Sequence, residues 1–186
     1  TNDAASHMKQ KLKKELGDRA TEIQIFTFHS FSENILSEQY IKLGYSKKPK
    51  LMNSGDESYM MKKYFYDFGN LNSTVFKRNP ILAIQSFRKI FDSITNNLLS
   101  ELELNIFKKE ETKKIEKNND SEEIEKSKQL IDSVEAFVQY QKWKKKRDYI
   151  DYGDMITNLW DLLNKDEKFL IYIQNQYKHI IVDEFQ

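Results

Sequence analysis

Two adjacent carboxylates near the end of the sequence are its clearest candidates for chemistry. Asp183 and Glu184 directly follow the apolar run 180–182, which reads Ile-Ile-Val. Three consecutive β-branched residues predict a strand that is buried on both faces, as in a parallel sheet. At the carboxyl end of such a strand, one carboxylate can bind Mg²⁺ while its neighbour orients an attacking water. The alternative is a surface strand that ends in solvated acids.

Polar residues at two predicted helix starts could contact phosphate groups. Thr1 and Asn2 begin the first predicted helix, where free backbone amides and the helix dipole favour anions. Ordinary helix capping is the alternative there. Thr27 and His29 follow a strand predicted over residues 23–27, and they could donate hydrogen bonds to a nucleic-acid backbone. A structural histidine is the alternative for His29.

A basic run occupies residues 142–147, which read Lys-Trp-Lys-Lys-Lys-Arg. Five cations in six residues could bind phosphates, and Trp143 could stack on a base or pack in the core. The candidate DNA contacts in this run are Lys144, Lys145, Lys146 and Arg147. The alternative is a solvated helix face with Trp143 turned inward.

Helical periodicity dominates the elements that would position these residues. Helices are predicted over residues 2–17, from 29 to about 40, over 56–68, from 80 onward, from about 130 to 147, from 151 onward and over 166–176. Asn79 followed by Pro80 is a strong helix start, with a capping residue before proline at the first helical position. Residues 108–128 are dense in Lys and Glu and predict a solvated helix or a loop.

Composition narrows the class of protein. The 186 residues include 30 Lys and Arg against 29 Asp and Glu, so any polyanion must bind to a local patch. The absence of cysteine excludes disulfides and Cys-based zinc sites and fits a cytoplasmic location. No apolar run approaches the ~18 residues of a membrane span, so no membrane partner is expected. No G-x-x-x-x-G-K-[ST] loop is present to cradle a triphosphate, so efficient ATP hydrolysis by these residues alone is not expected.

Four ordered segments resemble those of superfamily 1 helicases of the UvrD/Rep/PcrA type. Residues 1–8, Thr-Asn-Asp-Ala-Ala-Ser-His-Met, resemble motif Ia of that family, and residues 27–31, Thr-Phe-His-Ser-Phe, resemble motif Ib. Residues 181–186, Ile-Val-Asp-Glu-Phe-Gln, resemble motif II, the Walker B strand. Residues 149–155, Tyr-Ile-Asp-Tyr-Gly-Asp-Met, are similar to the segment that re-enters the motor domain after a helical insertion.

The resemblance implies a mainly α fold with a defined domain order. Residues 37–150 would form the helical 1B subdomain, inserted between two partial pieces of a RecA-like α/β (P-loop NTPase) motor domain at 1–36 and 151–186. Two short strands without their neighbours would leave sheet edges unpaired. The family's phosphate-binding loop, arginine finger and second motor domain would lie outside this sequence, so this segment is expected to be inactive alone.

The resemblance also implies roles for individual residues. Asp183 would bind Mg²⁺, Glu184 would be the catalytic base of ATP hydrolysis, and Gln186 would hydrogen-bond near the nucleotide. The path of single-stranded DNA would be lined by Thr1, Asn2, Thr27 and His29. The 1B helices and the basic run would hold single-stranded and duplex DNA. The longer protein would use ATP and Mg²⁺ as a DNA helicase and translocase, expected to move 3′ to 5′.

Two other functions stay open. The helicase subunit of a recombination helicase–nuclease would share every motif, and a nuclease domain further along the chain would distinguish it. A catalytically inactive helicase-like scaffold would instead bind protein partners in DNA repair or recombination, with residues 108–128 as a docking surface. An intact Gly-Lys-Thr/Ser loop upstream would argue against the scaffold.

Overall fold

The computed structural model describes residues 2–183, with side chains from Asp3 onward, and most of these residues are helical. The α-helices are α1 (Asn2–Leu16), α2 (Phe28–Leu36), α3 (Ser54–Lys63), α4 (Thr74–Arg78), α5 (Pro80–Asn96), α6 (Glu101–Lys117), α7 (Ser121–Lys146), α8 (Tyr152–Lys165) and α9 (Glu167–Gln176). Short 3₁₀ segments cover Gly17–Glu22 and Phe65–Phe68. The prediction of a mainly α fold is confirmed.

The strands of the described residues are short and lie far apart in sequence. β1 (Lys50–Leu51) pairs in parallel with β2 (Tyr149–Ile150). The strands predicted over 23–27 and 180–182 are wrong for this structure, because neither segment is assigned as a strand. A strand needs a neighbour for its backbone hydrogen bonds, and no described segment supplies one.

The chain divides into two compact units. One unit contains the described residues up to Leu43 together with those from Met155 onward, and the other is Gly44–Asp154. The domain boundaries predicted from the sequence lie after residues 36 and 150. The identity of the units as parts of a motor domain and a 1B subdomain stays a prediction.

The core of the Gly44–Asp154 unit is built on α5 and α7. Asn79 caps α5 by accepting a hydrogen bond from the backbone N–H of Leu82 at 3.1 Å, and Pro80 occupies the first helical turn. This confirms the predicted helix start. Both α5 and α6 pack against α7. The main core contains Met52, Met61, Phe65, Phe68, Phe76, Ala83, Ile84, Phe87, Phe91, Ala136, Tyr140 and Trp143. A smaller cluster contains Ile94, Leu104 and Val134.

The charged stretch 108–128 is less solvated than its composition predicts. It forms the second half of α6, a short turn and the start of α7. Glu111 is only 3 % exposed; it accepts a hydrogen bond from the Ser127 hydroxyl at 2.8 Å and forms an ion pair with Lys114. The mixed-charge sequence therefore includes a buried contact that holds α6 against α7.

The other unit has its own smaller core between α2, the later turns of α8 and α9. Its buried apolar residues are Ile35, Leu36, Leu159, Leu162, Phe169 and Ile173. Helix α1 is mostly exposed and ends before Gly17, whose φ of +58° lies in the left-handed region that favours glycine. None of the described helices is both long and apolar enough to cross a membrane.

Candidate nucleic-acid interface

The predicted magnesium site is only partly described. Asp183 is exposed, and the apolar residues before it are exposed as well, with Ile181 at 96 %. Glu184 and Gln186 lie outside the described residues. Among the residues that are described, no group of three or more His, Asp or Glu side chains is placed to hold a metal ion. The Mg²⁺ site therefore stays a prediction that depends on more than Asp183.

The start of α2 has a clear structural role. Thr27 accepts a hydrogen bond on Oγ1 from the backbone N–H of Ser30 at 3.1 Å, and its own N–H donates to Ser30 Oγ at 2.8 Å. This reciprocal pair is a capping box that satisfies two backbone donors. His29 is exposed in the first turn of the same helix. DNA contact by either residue stays a prediction.

Two further predicted DNA contacts fall at the beginning of the chain. Thr1 and the side chain of Asn2 lie outside the described residues. The backbone of Asn2 begins α1, as the sequence predicted for this segment.

Lys144 does not lie on the surface, contrary to its prediction as a phosphate contact. The residue is 1 % exposed, and its Nζ donates to the two carboxylate oxygens of Asp154 at 2.7 and 2.6 Å. It also forms an ion pair with Asp151. The prediction is wrong for this residue because two carboxylates already neutralise its ammonium group in the interior.

The ion pairs around Lys144 decide its protonation. Burial alone would lower the pKa of Lys144, but the carboxylates of Asp154 and Asp151 outweigh that effect and hold the pKa above its usual range. Burial raises the pKa of Asp154, and the ammonium group of Lys144 opposes that rise. The backbone N–H of Asp154 also donates to Asp151 at 2.9 Å. This cluster fixes the end of α7 to residues 151–154.

Trp143 is turned inward, which confirms the alternative interpretation of that residue. It is 6 % exposed, stacks on Tyr149 with ring centroids 5.9 Å apart, and packs against Tyr64 at 5.0 Å. The exposed Arg147 places its guanidinium carbon 4.7 Å from the Trp143 ring centroid and 5.2 Å from that of Tyr64. Cation–π attraction therefore positions Arg147 at the surface.

The segment 44–50 brings further cations to the end of α7. The backbone N–H and hydroxyl of Ser46 donate to the Asp148 carboxylate at 2.8 and 2.6 Å. Gly44 has a φ of +80°, and a Cβ there would lie 2.9 Å from Cε of Lys145. Glycine therefore permits both the local turn and the close approach of that lysine side chain.

Six exposed cations lie on these two joined segments, and we refer to them as the basic surface. They are Lys47, Lys48, Lys50, Lys145, Lys146 and Arg147. Residues 44–50 and 145–150 together contain one acidic residue, Asp148, which is 7 % exposed. Six cations and one carboxylate give a local charge of +5, against +1 for the whole chain. This is the local patch that composition alone required of a polyanion-binding protein.

Sequence reasoning found only half of the basic surface. The run Lys47-Lys48-Pro49-Lys50 is visible in the sequence, but it lies about a hundred residues from α7's basic end. Its place there depends on the Ser46–Asp148 hydrogen bonds and on the pairing of β1 with β2. Neither contact has a local sequence signal.

Comparisons with known proteins agree on one family. The profile of the UvrD/REP helicase N-terminal domain matches residues 1–186. The chain is 25 % identical over its whole length to the ATP-dependent DNA helicase PcrA of Staphylococcus aureus, of which it covers 22 %. It is 29 % identical to DNA helicase II homologues of Mycoplasma pneumoniae and Mycoplasma genitalium, again over its whole length and 24 % of theirs. The chain thus spans about a quarter of the length of these relatives.

Proposed function

The chain belongs to the UvrD/REP helicase family, and we propose that it is a segment of an ATP-dependent DNA helicase that contacts DNA through the basic surface. The observation that carries the proposal is this cluster of six exposed cations on a chain whose overall charge is close to neutral. Lysine and arginine that neutralise phosphates provide affinity without reading sequence. That is the kind of contact a helicase needs on every DNA that it unwinds.

We assign the two compact units to the parts of such an enzyme. Gly44–Asp154 corresponds to the helical 1B subdomain, and the other unit belongs to a RecA-like motor domain. The single-stranded DNA path on the motor side is lined by Thr1, Asn2, Thr27 and His29. Movement along that strand runs 3′ to 5′. What supports this assignment is the match to the family over the full length of the chain.

The chemistry of ATP hydrolysis would involve the end of the chain. Carboxylate oxygens are the ligands that Mg²⁺ prefers, so the donor set at 183–186 fits that ion. Asp183 would hold the metal, Glu184 would accept a proton from the attacking water, and Gln186 would hydrogen-bond near the nucleotide. Bound Mg²⁺–ATP supplies the phosphoryl group that is transferred to water. The chain contains no G-x-x-x-x-G-K-[ST] loop, so these steps belong to the longer protein.

Salt-dependent DNA binding tests the proposal on the chain itself. A fluorescein-labelled duplex with a single-stranded tail is titrated with protein between about 50 and 200 mM salt, and fluorescence anisotropy reports the affinity. We expect the logarithm of the affinity to fall linearly with the logarithm of salt concentration. Replacing Lys145 and Lys146 together with Ala should weaken binding and make that slope shallower by about 1 to 2.

A matched double variant controls for net charge. Lys109→Ala with Lys113→Ala removes two exposed lysines of α6 that are outside the basic surface. We expect this control to retain nearly all of the affinity and the full salt slope. Equal losses in the two double variants would reject the basic surface as the contact. A folded chain that binds no DNA would favour the protein-binding scaffold instead.

A further inference from the structure

A row of alternating aromatic and cationic side chains borders the basic surface. Nζ of Lys63 lies 5.6 Å from the ring centroid of Tyr59 and 5.4 Å from that of Tyr64. The guanidinium carbon of Arg147 lies 5.2 Å from the same Tyr64 ring. We call Tyr59, Lys63, Tyr64 and Arg147 the aromatic row. Its members come from α3, from the residue that follows α3, and from the residue that follows α7.

The inner end of the row is anchored, whereas its outer end is open. Tyr64 is half-buried and packs against Trp143, which belongs to the core. Tyr59 is 61 % exposed, and the buried residue of its helix is Met61. The core therefore does not account for an aromatic ring at position 59. Its neighbour Lys63 lies between two rings, which already restrict its side chain. Lys63 therefore loses less conformational freedom when it binds a phosphate.

We propose that the aromatic row is a binding site for unpaired nucleotides, in which Tyr59 stacks on a base while Lys63 and Arg147 contact the phosphates beside it. This inference rests on the proposed function and adds to it a separate binding site for the single strand. The basic surface binds phosphates of any nucleic acid, because phosphates are present on single strands and duplexes alike. An aromatic ring can stack on a base only when the base face is uncovered, as it is in a single strand.

The position of Arg147 favours nucleic acid over other anions. Arg147 belongs both to the basic surface and to the aromatic row, so a strand bound to one reaches the other. A guanidinium group held near the Tyr64 and Trp143 rings by cation–π attraction can still donate its N–H groups to a phosphate. An exposed ring beside cations that can contact the backbone is the pattern of sequence-tolerant single-strand binding sites.

Two probes and two single substitutions test the site on the whole chain. The probes are a fluorescein-labelled oligothymidylate of about twelve nucleotides and a labelled blunt-ended duplex of about twelve base pairs. Tyr59→Ala removes the proposed stacking ring. Tyr66→Ala is the matched control, because Tyr66 is 83 % exposed and packs edge-on against Phe65. Circular dichroism establishes that both variants keep their helical content.

We expect Tyr59→Ala to weaken oligothymidylate binding by about 5- to 150-fold, the range for loss of one base–aromatic stack. Binding of the duplex should change less than about two-fold, since the phosphate contacts remain. Tyr66→Ala should leave both affinities unchanged. Tyr59→Phe, which keeps the ring, should restore oligothymidylate binding.

The outcomes separate this inference from the proposed function. Wild-type binding to both probes with no loss in Tyr59→Ala overturns the inference and leaves the basic surface in place. Equal losses on single strand and duplex also overturn it, because stacking on a base would then not be the contact. Wild-type protein that binds neither probe overturns both proposals together.

Discussion

At the scale of single residues, the neighbours Lys144 and Lys145 have opposite environments. Lys144 is buried between two carboxylates, whereas Lys145 is exposed and places its Nζ 5.9 Å from the Tyr45 ring centroid. An α-helix rotates by about 100° per residue, so consecutive side chains point to different sides. Exposure of one lysine in a basic helical run therefore does not extend to the next, and the buried Lys144 has a different role from the exposed Lys145.

The buried ion pairs predict that Lys144 is essential for stability. In Lys144→Ala, the buried carboxylate of Asp154 would remain beside that of Asp151 without a counter-charge. Removing one partner of a buried ion pair costs about 3–5 kcal/mol. We expect a loss of that size in the free energy of unfolding, measured by urea denaturation.

A background with Trp143 as its tryptophan and a control substitution at the adjacent lysine make that measurement specific. Trp160→Phe as the background leaves Trp143 as the tryptophan that reports on the Gly44–Asp154 unit. Lys145→Ala, one residue away and exposed, is the control and should cost less than about 1 kcal/mol. If Lys144→Ala were as stable as this control, the ion pairs would not contribute to the fold.

At the scale of elements, Asp148 joins the segment 44–50 to the end of α7. Hydrogen bonds from the hydroxyl and backbone N–H of Ser46 hold the pKa of Asp148 below its usual range. A carboxylate with a lowered folded-state pKa contributes stability above its unfolded-state pKa, and that stability is lost as pH falls through the folded value. The contact between Asp148 and the segment 44–50 should therefore contribute most to stability near neutral pH.

Asp148→Asn tests this contribution with little change in the backbone. Asp148 has a φ of +53°, and Asn tolerates that left-handed conformation. We expect the wild-type chain to be more stable than the variant at about pH 7 and the difference to shrink towards about pH 3, as Asp148 becomes protonated. Urea denaturation at several pH values measures it. A difference that stays constant with pH would show that the ionised carboxylate is not the stabilising form.

Elements with local signals could be predicted from the sequence, and those with distant partners could not. The start of α5 follows from Asn79 and Pro80, and its buried face follows from apolar spacing, because both depend on residues within a few turns. The pairing of β1 with β2 joins residues about a hundred positions apart and has no such signal. The run 180–182 has the composition of a buried strand but lacks a described neighbour, so pattern alone gave the wrong expectation.

The same distinction applies to the candidate interface. Lys145, Lys146 and Arg147 were predicted as DNA contacts because they are adjacent in a basic run. The structure shows all three exposed at the end of a helix. Burial of Lys144 could not be predicted, since Asp151 and Asp154 become its partners only after the chain turns beyond α7. Tyr59 and Lys63 were missed because their relation to Arg147 is a contact between separate elements.

At the scale of the whole molecule, each compact unit has a core of its own. Among the described residues, one core cluster of six buried apolar residues serves the unit that contains α2 and α9. The Gly44–Asp154 unit has twelve such residues in one cluster and three in another. Burial of apolar area is the main favourable term in folding, so the unit with the larger core should unfold at a higher denaturant concentration.

We therefore expect the two units to unfold at different urea concentrations. In Trp160→Phe, Trp143 fluorescence follows the Gly44–Asp154 unit, while far-ultraviolet circular dichroism follows the helices of both. Part of the dichroism signal should be lost before the fluorescence changes, because the unit with the smaller core should unfold first. Leu162→Ala, a core change in the smaller unit, should move only the early transition to lower urea. Coincident fluorescence and dichroism curves, shifted together by Leu162→Ala, would instead establish that the chain folds as one cooperative body.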